Sequence, residues 1–412
     1  MQRGETRAGW AGLLAFAFAF PFGVAGSLMI APWVSLLAIL AFPVHTSFWR
    51  PERPPWALFV AAGFLGWALI SYLWSPHDDP GQIWRTGLGV PLYILFAIRV
   101  GQVDGPWQRR IEAAMLFAVI ALGLFLFSET VFDGAATRGF KLGAEEHHDL
   151  SEFSIDVLVN RSLGHAAVPL LLLSMPVALI SWREGGPVVG IVVMLLAGVA
   201  AFSFETQVNM VAFVLGSVAA LLTAFWPRTM LASLFGLLAG GVIVLPLIMP
   251  GLIDVIPDSW RSALPASFEW RLQIWSYTGD LIREQPWFGY GLDASRPLNG
   301  EAEVFAFGEL HSVEALPMHP HNATLHVWLE TGAVGAALLA GVLVALGGRI
   351  AAAQQLSRLQ AVGVAWVVVV YVSLIVFSYG VWQEWHQGTV ALAATSVFFL
   401  AARKRARPIS HA

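Results

Sequence analysis

The chain contains no cysteine, and only 12% of its 412 residues are charged. Without thiols it has no structural disulfide, no thiolate zinc site and no cysteine nucleophile. The charge content is half the roughly 25% of a soluble domain, which excludes an ordinary water-soluble globule. Tyrosine is scarce as well, at 6 residues, although tryptophan reaches 18 and phenylalanine 27. With 57% hydrophobic residues and a mean hydropathy of +0.68, the composition is that of a polytopic membrane protein. The abundant Trp and Phe suit helices anchored at both interfaces by aromatic rings. No internal repeat, low-complexity tract or linker divides the chain, so residues 1–412 read as a single membrane domain.

A helix needs roughly 20 apolar residues to cross a hydrocarbon core of about 30 Å. Twelve runs qualify or nearly do: 9–23, 27–43, 55–74, 83–99, 111–128, 163–181, 187–203, 209–226, 229–249, 323–347, 361–378 and 388–402. The predicted class is therefore an all-α bundle of about twelve transmembrane helices. Pro21 and Pro32 interrupt the first two runs, which makes a single re-entrant hairpin the alternative there. Arg3 and Arg7 before the first run imitate a signal peptide, but the apolar run continues past any cleavage point and reads as an uncleaved span.

Charge distribution orients these spans. With both termini in the cytoplasm, 15 of the 23 basic residues fall in cytoplasmic segments, among them Arg50, Arg53, Arg99, Arg109, Arg110, Arg183, Arg228, Arg349 and Arg358. Of the 27 acidic residues, only Glu5, Glu52, Asp104, Glu112 and Glu184 lie on that side. Positive charge gathers inside, as the rule for membrane topology requires.

Two external segments are long. Residues 129–162 form an acidic loop with Glu145, Glu146, His147, His148, Asp149, Glu152 and Asp156. Residues 250–322 form a cap between spans nine and ten. Within it, Phe268, Leu272, Trp275, Tyr277, Leu281 and Ile282 recur at helical spacing over 267–284, an amphipathic pattern suited to lying on a membrane or on the bundle.

The chemistry-bearing stretch is His319-Pro320-His321-Asn322, at the mouth of the apolar run 323–347. Titratable groups at a membrane boundary are expensive and mark function by default, and imidazole exchanges protons near neutrality. His311 and His326 lie close by in sequence. His326 and Glu330 share a helical face and invite a metal reading, but no H-E-x-x-H motif accompanies them. The plain alternative is that His321 and Asn322 do no more than cap the helix that starts at Ala323. External cations surround this region: Arg85, Arg138, Lys141, Arg161, Arg261, Arg271, Arg283 and Arg296. A guanidinium at a bilayer edge either snorkels to headgroups or clamps phosphate bidentately. Polar residues in Asn160 to His165 and in Glu205-Thr206-Gln207-Val208-Asn209 are badly placed unless they line a cavity. Pro286-Trp287-Phe288-Gly289-Tyr290-Gly291 reads as a structural turn, since the pore helix of a potassium filter is missing.

His321 and Asn322 are followed by nine residues, Gly332, two residues and Gly335, and Arg271 and Trp275 precede Pro286, Gly289 and Gly291. In both patterns the chain resembles the bacterial O-antigen ligase superfamily, which also holds O-antigen and exopolysaccharide polymerases. The likeness is strongest over residues 190–340 and topological elsewhere. It implies transfer of a glycan from an undecaprenyl-diphosphate donor to a sugar hydroxyl, on the periplasmic face of the bacterial inner membrane, in lipopolysaccharide or polysaccharide biosynthesis. It further implies that His321 is the base and that Arg271 holds the donor diphosphate, with no metal or other cofactor and no nucleic acid. Ligases of the family place a second arginine beside a serine after the seventh span; here Ser203-Phe204-Glu205-Thr206-Gln207 has no basic residue. Arg161 is the expected substitute as a second diphosphate-binding residue, with Asn322, His319 and Gln207 in support. Ligation onto a lipid A–core acceptor is placed first, polymerisation onto a second lipid-linked glycan next. A transporter of lipids or small molecules is the reading from a different class, disfavoured by the missing repeat and by polar clusters near one face.

Overall fold

The computed structural model describes residues 2–43, 56–144, 150–204, 206–261, 264, 266–306, 309–353 and 356–401. In chain order its helices are α1 (Gln2–Val24), α2 (Ile30–Leu40), α3 (Trp56–Ser71), α4 (Gly81–Gly101), α5 (Gly105–Val131), α6 (Ala135–Leu142), α7 (Glu152–Gly185), α8 (Pro187–Ser203), α9 (Gln207–Phe225), α10 (Pro227–Asp254), α11 (Asp258–Arg261), α12 (Ala266–Glu284), α13 (Ala323–Ala352), α14 (Arg358–Phe377) and α15 (Glu384–Phe398). One antiparallel hairpin, β1 (Glu301–Ala306) with β2 (Glu309–Glu314), interrupts the all-helical pattern. Among the described residues, nine helices are long and apolar enough to cross a membrane. The expected spans 27–43, 187–203 and 388–402 correspond to the shorter helices α2, α8 and α15.

Helix α7 is the axis of the larger core. In its most apolar window 83% of residues are buried, against 17% for the peripheral α3. Leu170, Leu171, Leu172 and Leu173 are all enclosed, so the helix is apolar around its circumference, as a central helix must be. Pro169 and Pro176 interrupt its hydrogen-bond ladder. A proline removes the N–H that would reach the carbonyl four residues back. The carbonyl released by Pro169 is that of His165, and the Ser27 hydroxyl donates to it at 3.3 Å. The same repair occurs in α10, where Pro246 frees the Val242 carbonyl and the Trp328 indole donates to it at 2.7 Å. Pro169 and Pro246 are therefore points of tertiary attachment.

A second, smaller core joins α12, α13 and the loop 286–298. Ile274, Leu316, Leu325, Leu329 and Ala336 are its fully enclosed members. The segment 129–162, expected as an acidic loop, carries helix α6 over part of its length, and α7 begins at Glu152, well before the expected start of span six at 163. Glu145, Glu146, His147, His148 and Asp149 lie outside the described residues. In the 250–322 segment the expected amphipathic helix is present as α12, and the hairpin was not anticipated.

The expected single membrane helix over 323–347 also needs correction. Helix α13 is broken at Gly332, whose φ of 64° and ψ of −168° are not helical. The loop between α12 and β1 enters this break. Ala333 N–H donates to the Pro286 carbonyl at 2.8 Å and Val334 N–H to the Trp287 carbonyl at 3.3 Å. In return, Tyr290 N–H donates to Leu329 O at 2.8 Å and Gly291 N–H to Glu330 O at 2.9 Å. The Trp67 and Trp74 indoles donate to Thr331 O and Gly289 O at 2.8 and 3.1 Å. Backbone groups on both sides of the break thus find partners, as burial in an apolar setting demands. The approach is close enough to explain the glycines. A Cβ on Gly332 would lie 2.3 Å from Trp287 O, and one on Gly289 would lie 2.7 Å from Leu329 O. The turn Pro286–Gly291 is structural, as expected, and its role is to fill a broken helix.

Candidate active site

Asn322 caps α13: its Oδ1 accepts from Thr324 N at 3.0 Å and Leu325 N at 3.3 Å. The cap fixes where the helix begins, and so where the preceding histidines stand. His321 has a φ of 51°, in the left-handed region that a branched or bulky residue avoids. Such strain, of order 1–3 kcal/mol, persists only when the surroundings over-determine the backbone. The constraints are visible. The Trp275 indole of α12 donates to Pro320 O at 3.1 Å, and His321 N–H donates to His319 Nδ1 at 3.3 Å.

The ring of His321 is oriented from the opposite side of the bundle. Its Nδ1 faces the backbone carbonyl of Ser378, in the connection between α14 and α15. A carbonyl only accepts, so Nδ1 carries the proton and Nε2 keeps a free lone pair. His319 and His321 meet edge to face with centroids 4.4 Å apart, and His326 stacks on His319 at 6.0 Å.

The electrostatics keep this imidazole neutral. Burial holds His321 down to about 4; the Ser378 carbonyl opposes this, and the charges of Arg271, His326 and Arg161 push it lower still. His319, more enclosed, falls to about 2, mainly through burial. Arg271 is partly buried on α12, where its Nη1 donates to Ser267 O at 2.9 Å. Its Nε is enclosed with no acceptor, and among the described residues no carboxylate lies within 4 Å of its guanidinium. Desolvation lowers its pKa from 12.5, yet a guanidinium stays cationic. Arg161, exposed on α7, likewise has no carboxylate partner among the described residues and acts on both His319 and His321.

A neutral imidazole with an available Nε2 thus stands in the field of two cations that have no carboxylate partner among the described residues. The arrangement can accept a proton while binding an anion. Of the residues singled out from sequence, His321, His319, Asn322, Arg271 and Arg161 converge here. Gln207 is exposed at the start of α9, and Glu205 lies outside the described residues. That segment still reaches α7 close to Arg161: Asn209 Nδ2 donates to Gly164 O at 3.0 Å. The His311 side chain is outside the described set. His326 and Glu330 do share a helical face, and they form a hydrogen bond of 3.1 Å. Sequence reasoning missed Ser378 and Trp382. The former acts through its backbone, which leaves no side-chain signal.

The model of the O-antigen ligase family matches residues 190–340, the stretch that carries Arg271, Trp275, the strap of Pro286–Gly291, His321 and Gly332. Over that stretch the chain is similar to the O-antigen ligase family. A protein of Rickettsia conorii (strain ATCC VR-613 / Malish 7) named "Putative polysaccharide ligase" is 26% identical over 340 residues, covering 78% of this chain and 74% of its own. Relatives of the same name from Rickettsia bellii (strain RML369-C) and Rickettsia typhi (strain ATCC VR-144 / Wilmington) are 25% and 21% identical, each over 67% of this chain and 64% of theirs. No solved structure matches the chain. The matched stretch includes the smaller core and the strap, while Arg161 and Ser378 fall outside it.

Proposed function

We propose that the protein is a membrane glycosyltransferase of the O-antigen ligase type, moving a glycan from an undecaprenyl-diphosphate donor to an acceptor sugar hydroxyl. The observation that carries this reading is the His321 ring, held neutral with Nδ1 on the Ser378 carbonyl and Nε2 free, in the field of Arg271 and Arg161, neither of which has a carboxylate partner among the described residues. His321 Nε2 takes the proton of the acceptor hydroxyl as its oxygen bonds to the anomeric carbon. The bond from that carbon to the diphosphate breaks, and undecaprenyl diphosphate leaves with the electron pair. Negative charge grows on the leaving group as it departs, which Arg271 and Arg161 stabilise. The imidazolium then releases its proton to solvent. No residue of this scheme requires a metal or nucleotide.

Ligation onto a lipid A–core acceptor is the first reading, in line with the name of the rickettsial relatives; polymerisation uses the same donor chemistry. The site belongs on the periplasmic face of the inner membrane, since the positive-inside distribution puts the His321 end of α13 outside. In cells carrying His321→Ala or Arg271→Ala, glycan attachment or elongation should fall to background, read as the banding of surface glycan on a gel. Unchanged banding in both variants would sink the catalytic reading. Lipid-linked polymer accumulating unattached would mark a ligase, whereas a single attached repeat would mark a polymerase.

A further inference from the structure

Glu330 is fully enclosed, yet nothing in the transfer chemistry uses it. Five donors converge on its carboxylate. Oε1 receives Ser295 Oγ at 2.6 Å, Ser295 N at 3.2 Å and His326 Nε2 at 3.1 Å. Oε2 receives the Trp382 indole at 2.6 Å and Asp293 N at 2.9 Å. A buried carboxylate survives only when satisfied in this way, and a network of this kind fixes one arrangement of what it ties together.

What it ties together is the segment that aims His321. Trp382 and Val381 belong to the connection between α14 and α15, the same connection whose Ser378 carbonyl holds His321 Nδ1. Val381 N–H donates to His326 Nδ1 at 3.3 Å, so the His326 proton sits on Nε2, where Glu330 accepts it. Gly380 packs closely against His319: a Cβ there would lie 3.1 Å from His319 Cδ2 and would push the ring by a few tenths of an ångström. At its start the segment hangs from Leu374 O, which accepts both Ser378 N–H and Tyr379 N–H at 3.0 Å.

We propose that Glu330 is a positioning residue: by gripping Trp382 and His326 it sets the Ser378 carbonyl that selects the Nδ1–H tautomer of His321. The proposal rests on the reading of His321 as the base. The carboxylate is specifically needed, because every group facing it is a donor. An amide in either orientation would turn its NH2 on at least two of them.

The full chain, labelled with 15N-histidine and held in lipid nanodiscs, tests this through the nitrogen chemical shifts of His321. The wild-type protein should show one Nδ1–H tautomer. Glu330→Gln should give a mixture with Nε2–H and lower kcat by about 10–100-fold with KM nearly unchanged, assayed with a polyprenyl-diphosphate oligosaccharide as donor. Trp382→Phe, which keeps the ring and loses one donor, should shift the tautomer in the same direction and carries the test if the Glu330 variant does not fold. A pure Nδ1–H signal in a folded variant overturns the proposal whatever the rate. A mixed tautomer with an unchanged rate leaves the positioning in place and overturns His321 as the base.

Discussion

At the residue scale, the decisive quantity is the protonation of His321. Its imidazole is depressed from 6.5 to about 4, first by burial. The base form is therefore already present below neutrality, and the acidic limb of a transfer–pH profile should fall near pH 4 rather than 6.5. Removing a neighbouring cation relieves part of the depression. Arg161→Gln should move that limb upward, towards 6.5, and a limb that stays in place would remove Arg161 from the field of the ring. The same shift has a stability sign. Between about pH 4 and 6.5 the unfolded chain binds a proton that the folded ring refuses, so stability rises with pH through this window and is level above it. Asn322 is the helix cap that its residue type announces, its Oδ1 accepting from Thr324 N, Thr324 Oγ1 and Leu325 N.

At the element scale, α13 is the informative helix. Its beginning was legible, because an asparagine before an apolar run satisfies the first N–H groups through local chemistry. Its break was not, because the segment around Gly332 is long and apolar enough to read as one span and the partner that fills the gap comes from a distant turn. Periodicity reports what a segment buries, not what inserts into it. The amphipathic α12 was visible for the opposite reason, since all of its pattern lies within its own sequence. His321 and Arg271 could be found because their side chains are titratable. Ser378 could not, because it works through a carbonyl that every residue owns. The close approach gives a measurable outcome. Gly289→Ala, with a Cβ 2.7 Å from Leu329 O at a φ of 67°, should lower the melting temperature sharply and abolish transfer. Gly26→Ala is the control: at a φ of 92° with open space around it, it carries only the backbone penalty of about 1–2 kcal/mol. Equal melting of the two variants would show that the contact with α13 does not matter.

At the scale of the whole molecule, the question is which end of each helix faces which compartment. The chain has no cysteine, so any introduced thiol is the sole site of labelling. With both termini cytoplasmic, Ala136→Cys on α6 should react with a membrane-impermeant maleimide in intact cells. Gln102→Cys, between α4 and α5, should react only after permeabilisation. The reverse pattern would invert the topology and place His321 beside the nucleotide pool. Twelve apolar runs correspond to twelve helices, but α2, with 11 residues, covers only about 16 Å at 1.5 Å per residue. Hydropathy finds such a segment readily, yet its neighbours decide how deep it reaches. By the same measure the stretch 333–352 alone covers about 30 Å, a full hydrocarbon thickness.

The strap of Pro286–Gly291 exchanges four backbone hydrogen bonds with α13 and receives an indole from Trp74. Lifting it would strand those groups, and each unpaired buried one costs about 1–3 kcal/mol. A penalty of that size is incompatible with a door that opens on every turnover. The strap is a keystone: the lipid-borne donor of the proposed reaction would come and go while it stays in place, so that reaction requires an entrance to His321 along a wall that this segment does not form.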